Sequence, residues 1–245
     1  MAARADEKSS VCVFSRLGEQ FHMKKIGIMV FGNEYSARPI PEWKIDEKVR
    51  AIVEKALSSQ FDVKQIAVPA ELGEAVDKLR GGLLSDGKEE NAPILSRLGD
   101  KKECKYFLLI ASAGSSFGST NQAVGGLGVV EAESLFGDIR YVHAIAQARI
   151  FDGRSYAFLD WKNLRTGQNI FTDAIQGPHQ KIDFEAHASL EAVADDPKTQ
   201  EILLALLQES VQQTLPAMLA VDRPEAVTSS VNQQQSKKND DWAPF

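Results

Sequence analysis

The sequence predicts an α/β protein in which a mixed β-sheet packs against helices as a two-layer or three-layer sandwich. Three observations support this fold class. Apolar runs with strand character alternate with amphipathic helical segments up to residue 111. A β-hairpin is predicted late in the chain, at residues 139–161, and a leucine-rich helix follows Asp196.

The hairpin reads as two strands closed by Asp152-Gly153, a dipeptide typical of two-residue hairpin turns. Such a turn places Ile150 opposite Ser155 and Arg149 opposite Tyr156. The face that carries Arg149, Tyr156 and Phe158 is then mixed, with aromatic rings beside polar groups. The other face is small and apolar, and we expect it to lie under a helix: Val142, Ala144, Ala146, Ala148, Ile150.

The other strands are predicted from short apolar runs that end at turn residues. These runs are residues 11–17, 21–31, 61–68 and 106–111. We expect Gly18-Glu19 to form a turn between the first two of them. The run at 106–111 is the most apolar, so it is expected at the sheet centre, buried on both faces. Residues 169–175 are a candidate edge strand, and residues 112–128 are expected to form a loop rich in Gly, Ser and Thr.

Helices are predicted where apolar residues recur at helical spacing. Residues 43–59 and 70–79 satisfy this, and residues 93–98 favour a helical turn. Residues 35–43 hold two prolines and are expected to be extended or looped, and residues 83–91 to form a charged loop. The last helix has Asp196 as its N-cap and Pro197 in its first turn, and Pro216 is expected to bend or end it.

We therefore predict a single domain at residues 11–220 between disordered ends, residues 1–10 and 221–245. The final Trp242-Ala-Pro-Phe245 is a candidate docking motif or a loose end. With a net charge of −6 and a pI of about 5.4, the chain lacks the basic field typical of nucleic-acid binders. Its apolar runs fall short of the roughly 20 residues that span a membrane, so we expect no transmembrane segment.

The N-terminus and the two cysteines are the features of the sequence that bear on the cellular compartment of the protein. Ala3-Arg4-Ala5 resembles a signal-peptide cleavage site, but the basic and apolar regions that precede such a site are absent. We expect a periplasmic protein whose signal peptide is missing from this chain, with a cytoplasmic protein as the alternative. Cys12 and Cys104 lie in strand-like runs, which favours buried free thiols over a disulfide.

One catalytic motif is present, a G-x-S-x-G pattern after the most apolar strand, with Ser116 at its centre. The alternative function that it indicates is a serine hydrolase, with His179 or His187 as base and Asp160 or Asp173 orienting the base. The glycine-rich sequence that follows is a poor helix, although this motif normally opens one.

The same 112–128 loop is also a candidate site for an anion or a nucleotide, held by backbone N–H groups near Ser115 and Ser116. It lacks the Gly-Lys-Ser/Thr end of a P-loop. The four histidines have no metal-ligand spacing, and His143 is interpreted as a hydrogen-bonded structural residue. A zinc site from His179 and His187 with neighbouring carboxylates is a minor alternative, and we expect no metal and no cofactor.

The order of elements, with ARIFDGRSYAFLDWKNLRTGQNIF before a leucine-rich helix, resembles the α/β domain of bacterial envelope accessory proteins. These are the TolB amino-terminal domain, the curli-secretion lipoprotein and the lipoprotein activators of penicillin-binding proteins. The chain also resembles an uncharacterised group of exported proteobacterial proteins. In the envelope accessory domains the late hairpin carries a D-x-x-T-G turn, to which Leu164-Arg165-Thr166-Gly167 is the nearest match here. Cys12 lacks the lipid-attachment box of the lipoproteins.

The resemblance implies a non-enzymatic accessory protein of the cell envelope that acts through protein–protein contact. The predicted contact surfaces are the mixed face of the hairpin, with Arg149, Tyr156 and Phe158, and the loop that holds Ser115 and Ser116. The partner protein and the oligomeric state are left open.

Overall fold

The structure is a computed structural model, and it describes residues 8–28, 32–81, 85–99, 103–118, 122–133, 138–167, 174–183 and 189–220. Most of the two ends predicted to be disordered lies outside the described residues. The candidate residues Asp173 and His187, and most of the candidate edge strand at 169–175, lie outside them as well.

The described residues form ten strands and five α-helices. The strands are β1 Ser10–Arg16, β2 Gln20–Ile26, β3 Glu34–Pro39, β4 Asp62–Gln65, β5 Tyr106–Ser112, β6 Gly114–Ser116, β7 Ala123–Ala132, β8 Ile139–Asp152, β9 Phe158–Asn163 and β10 His179–Ile182. The helices are α1 Ile45–Leu57, α2 Gly73–Asp77, α3 Lys88–Leu98, α4 Leu190–Asp195 and α5 Pro197–Leu219. None of the described helices combines the length and the apolar character needed to cross a bilayer.

The strands form one mixed sheet in the order β3-β2-β7-β8-β5-β1-β4, with β6 paired to β7, and β9 and β10 paired to β8. The β1/β4, β1/β5 and β2/β7 pairs are parallel and the other pairs are antiparallel. The predicted α/β fold class with a mixed sheet is confirmed.

Strand β8 organises the sheet. Its first half pairs with β7 and β10, and its second half pairs with β5 and β9. The predicted small apolar face of this strand is confirmed, since Val142, Ala144 and Ala148 are fully buried in the same core cluster as the apolar side chains of α1 and α5. This core is the largest in the protein and fixes which side of each strand faces the helices.

The opposite face of the sheet is covered in two parts. Val76 of α2, Leu95 of α3 and Leu79 of the segment between these helices pack with Phe107 and Phe151. A smaller cluster that includes Phe117 and Ile145 covers the part near β6 and β7. Strand β5 is therefore buried on both faces from Phe107 to Ala111, as predicted.

The predicted pairing of the first two strands is wrong. β1 pairs with β4 and β5, whereas β2 pairs with β3 and β7. The connection is held instead by the start of α1, because the Asp46 carboxylate accepts hydrogen bonds from the backbone N–H groups of Leu17 (2.7 Å) and Gly18 (3.2 Å). A Cβ at Gly18 would lie 2.5 Å from the Ile45 side chain, so this close approach requires glycine.

Two segments predicted as loops contain regular structure. The charged stretch begins α3 from Lys88 onward, and the buried Asn91 side chain anchors this turn by bonding both the N–H and the carbonyl of Arg80 (3.2 and 2.9 Å). Within residues 112–128, β6 and the start of β7 pair antiparallel, with Ser116 opposite Ala123. Residues His179–Ile182 also form a strand, β10, which the sequence did not predict.

The turn of the late hairpin differs from the two-residue prediction. Residues 153–157 form the connection, and the Asp152 carboxylate accepts hydrogen bonds from the N–H groups of Arg154 (3.0 Å) and Ser155 (2.6 Å). Gly153 lies against the preceding chain, where a Cβ would be 1.7 Å from the Cys104 carbonyl oxygen. Gly153 therefore allows the two backbones to approach closely. The connection is longer than two residues, and the β8/β9 pairing has a bulge between Ile150 and Phe151.

Cys12 and Cys104 form a disulfide, so the prediction of free thiols is wrong. Cys12 lies opposite Phe107 in the β1/β5 pair, which brings the segment just before β5 within reach. The two Cα atoms are 5.4 Å apart, a usual separation for a disulfide, and both side chains are buried. The bond ties β1 to the start of β5 across 92 residues of sequence.

The closing helix agrees with its prediction at the start and runs further at the end. The Asp196 side chain accepts a hydrogen bond from the Lys198 N–H (2.9 Å), as an N-cap does. The helix continues past Pro216 to Leu219, and the burial of Leu215 and Met218 in the main core holds this last turn in place.

Candidate functional site

A groove of about 850 Å³ lies between the hairpin β8–β9 and the segment that joins α2 to α3. Its lining includes Leu79, Ile94, Arg149, Phe158 and Trp161, and we call it the aromatic groove. Four charged side chains also line it: Asp77, Lys78, Arg80 and Glu90. The groove therefore combines apolar walls with charges of both signs.

Trp161 is the exposed aromatic residue of the groove, with 52% of its surface accessible. In the β8/β9 pair it lies directly opposite Arg149, so both side chains project from the same face of the sheet. The two-residue turn predicted from the sequence would place Trp161 opposite Ala144, on the helix-covered face, and this is wrong because the observed register differs. A large aromatic side chain left in solvent beside a groove is typical of a binding surface.

Arg149 is held at the groove by one hydrogen bond, in which its Nη1 donates to the carbonyl of Leu79 (2.6 Å). Within the described part of the chain, this is the one hydrogen bond of the guanidinium. Partial burial lowers the pKa of Arg149, and the Asp77 carboxylate opposes that effect. An arginine stays charged at neutral pH, so the groove holds a half-buried cation with further N–H donors available.

Phe158 is fixed in the groove wall. Its ring meets the Phe151 ring edge-on at 5.8 Å, and its N–H donates to the carbonyl of Asp86 (2.7 Å). The backbone of Gly81 lies against the same ring, since a Cβ there would be 2.2 Å from it. Phe158 thus offers a rigid apolar surface that need not be ordered on binding.

Tyr156 does not belong to this surface. It is only 3% exposed, and its ring packs 5.9 Å from Phe107 in the core under α2 and α3. Its φ of +64° places it in the connection between the strands, outside the β9 ladder. The expected pairing with Arg149 and the expected exposure of Tyr156 are both wrong, because the observed register gives Arg149 to Trp161.

The candidate catalytic residues do not come together. His179 lies opposite His143 and Asp160 lies opposite Ile150, so they are seven positions apart along β8, or about 23 Å at strand spacing. Ser116 ends a short strand, and Phe117 then bridges to Ile175, where a nucleophile elbow would begin a helix. The arrangement of Ser116, His179 and Asp160 is not that of a catalytic triad.

Ser115 has a structural contact. Its hydroxyl accepts a hydrogen bond from the N–H of Gln176 (3.1 Å) and donates to the Ser116 carbonyl (3.2 Å). The segment that carries both serines borders a second cavity of about 430 Å³, lined by strand residues that the sequence did not connect with it. Gln147 lines both this cavity and the aromatic groove, so the two adjoin on one face of the sheet.

No group of three or more His, Cys, Asp or Glu side chains among the described residues is arranged to hold a metal ion.

The sequence did not identify Leu79, Ile94 and Trp161 as residues of the aromatic groove. Helical spacing marks Leu79 only as apolar, and an exposed tryptophan can be recognised only once the strand register is known.

No protein-family model matches the chain, and no curated protein matches it. Three solved structures show some likeness. Protein XCC0632 from Xanthomonas campestris, of family DUF330, has 6% identity and a TM-score of 0.33, covering 86% of this chain and 81% of its own. The hypothetical protein CT253 from Chlamydia trachomatis has 10% identity and a TM-score of 0.32, covering 83% and 98%. The lipoprotein GNA1162 from Neisseria meningitidis has 13% identity and a TM-score of 0.28, covering 85% and 99%.

Proposed function

We propose that this protein is a non-enzymatic accessory protein of the bacterial cell envelope that binds a partner protein through the aromatic groove. The observation that carries the proposal is the pairing of exposed Trp161 with half-buried Arg149 in a groove of about 850 Å³. Tryptophan and arginine are among the residue types enriched in the hot spots of protein interfaces.

The chemistry of the groove specifies the partner segment. Leu79, Ile94 and Phe158 supply apolar walls that favour an aromatic or aliphatic anchor residue. The Arg149 guanidinium has further N–H groups besides the one bonded to Leu79, and a carboxylate can accept two hydrogen bonds from such groups in a bidentate arrangement. The proposed occupant is therefore a peptide segment with one large apolar side chain and an Asp or Glu close to it.

The proposed location is the periplasm, and the disulfide between Cys12 and Cys104 supports it. Disulfides persist in oxidising compartments, whereas the bacterial cytoplasm keeps thiols reduced. The cytoplasmic alternative predicts two free thiols in the protein isolated from cells.

The groove is tested with a displayed library of random peptides selected against the purified protein. We expect the enriched peptides to combine an aromatic or aliphatic residue with a nearby carboxylate. In titrations of a selected peptide, Trp161→Ala is expected to weaken binding at least about tenfold, the usual cost of removing an interface hot spot.

Ile28→Ala is the matched control, because Ile28 is a large exposed apolar side chain that does not line the groove. Arg149→Lys keeps the positive charge but loses the bidentate fork, and it is expected to weaken acidic peptides more than peptides that lack a carboxylate. Equal affinities for the parent protein and Trp161→Ala, or a library without enrichment, would contradict the proposal.

A further inference from the structure

The strand register brings three of the four histidines into one row. His22 of β2 lies opposite Gly128 of β7, Gly128 lies opposite His143 of β8, and His143 lies opposite His179 of β10. Residues in such a row project from the same face of a sheet. The one member without a side chain is Gly128, and a Cβ there would lie 3.1 Å from Nε2 of His143. The glycine therefore leaves room for the imidazole of His143.

Beside this row is the cavity of about 430 Å³, which we call the histidine pocket. Its polar lining comes from four strands and consists of His22, Lys24, Tyr35, Ser112, His143 and Gln147. Its remaining wall is largely backbone, from the glycine-rich ends of β6 and β7. The volume is within the usual range of pockets for small molecules, about 300 to 1,000 Å³.

The charge of the histidine pocket is opposite to that of the whole protein. The chain has 34 acidic and 28 basic residues, yet none of the described residues that line the pocket is Asp or Glu. The Lys24 ammonium donates one hydrogen bond to the carbonyl of Ala123 (2.7 Å) and forms no ion pair with a carboxylate of the described residues. Burial lowers the pKa of both Lys24 and His22, because no nearby anion compensates their loss of hydration.

An aromatic pair lies beside the Lys24 ammonium, since Tyr35 is opposite Lys24 in the β2/β3 pair. The His22 and Tyr35 rings are stacked, with centroids 6.0 Å apart and an angle of 22° between their planes. The Tyr35 hydroxyl and Nδ1 of His22 are 2.8 Å apart, a hydrogen bond that fixes both rings. Since 65% of Tyr35 is exposed, the pair offers a flat surface on which a planar ligand ring can stack.

We infer that the histidine pocket binds a small molecule that joins an anionic group to a planar ring. Lys24 contacts the phosphate or carboxylate, Gln147 contributes hydrogen bonds, and the ring stacks on Tyr35. His143 supports the site from below as a neutral imidazole, because burial lowers its pKa to about 4. Its Nδ1 donates to the Gly126 carbonyl (3.2 Å), which holds the ring in place. This site goes beyond the proposed groove function, because Gln147 is the one described residue that lines both cavities.

Isothermal titration of the full chain with adenosine monophosphate, inorganic phosphate and adenosine tests the site. We expect the monophosphate to bind more tightly than either part alone, because only it engages both the lysine and the aromatic surface. Lys24→Met is expected to weaken the monophosphate at least about tenfold and to leave adenosine unchanged. Tyr35→Ala is expected to weaken the monophosphate and adenosine, and to leave phosphate unchanged.

The control Lys55→Met removes an exposed lysine of α1 that does not line the pocket, and it should bind all three probes like the parent. Trp161→Ala should do the same, so a failure here and a failure of the groove proposal are distinguishable. Near-UV circular dichroism verifies that each variant is folded. No heat of binding for the monophosphate, or equal binding by the parent and Lys24→Met, would overturn the inference.

Discussion

Reduction of the disulfide between Cys12 and Cys104 should destabilise the protein strongly. The bond closes a loop of 92 residues, and the chain-entropy relation for a loop of this length gives about 4.6 kcal/mol at 25 °C. Measured values are commonly smaller, at about 2 to 4 kcal/mol. For a urea dependence of about 3 kcal/mol per molar, the unfolding midpoint should fall by about 0.7 to 1.5 M.

The assay compares urea unfolding of the oxidised protein with that of protein reduced in denaturant and kept in dithiothreitol, followed by far-UV circular dichroism. The double variant Cys12→Ala/Cys104→Ala is the control, because dithiothreitol should leave its midpoint unchanged. Thiol titration of unfolded, unreduced protein should find no free thiol. Two free thiols, or the same midpoint with and without reductant, would refute the reasoning that the bond forms and restrains the unfolded chain.

Two further predictions concern single residues. Burial lowers the pKa of His143 to about 4, against about 6.5 in the unfolded chain, so the unfolded state binds more protons between these values. The contribution of His143 to the free energy of unfolding is complete above pH 6.5, and roughly 3 kcal/mol of it is lost as the pH falls to 4. Urea unfolding at several pH values in this range should show that His143→Gln lacks this pH dependence. The same pH dependence in the parent protein and in His143→Gln would contradict the prediction. Gly153→Ala should cost about 2 kcal/mol or more, because its Cβ would lie 1.7 Å from the Cys104 carbonyl oxygen. Gly167→Ala, with nothing within 4 Å of its Cβ, should change the urea midpoint little, and equal midpoints for the two variants would count against this packing.

Elements governed by local signals were predictable. Asp196 and Pro197 marked the start of the last helix, and helical spacing located α1 within two residues of its observed ends. The uninterrupted apolar run of β5 predicted burial on both faces, and the small residues of β8 predicted a helix-covered face. In each case the sequence within one element determines the result, through periodicity or capping.

The hairpin register was not predictable, because it depends on a contact distant in sequence. Asp152-Gly153 favours a two-residue turn, which would pair Ile150 with Ser155, whereas Ile150 pairs with Asp160. The shift of five positions is odd, so it exchanges the two faces of β9. Gly153 packs against the backbone of Cys104, in the segment before β5, instead of closing a two-residue turn. The connection between β8 and β9 is therefore longer than the predicted turn. Trp161 consequently reaches the groove, where the prediction had placed it against the helices.

The histidine pocket has a different origin, since the hydrophobic core on the other side of the sheet fixes it. Leu127 and Val129 of β7, paired with Ala144 and Val142 of β8, are fully buried against the helices. Side chains alternate along a strand, so Gly128 and the His143 opposite it must project from the other face. A slip of β7 by one residue would turn Leu127 and Val129 out of the core, and each fully buried side chain of this size contributes about 1.5 to 3 kcal/mol. Because a slip would bring this loss, core packing sets the register, and the register places the imidazole of His143 over Gly128.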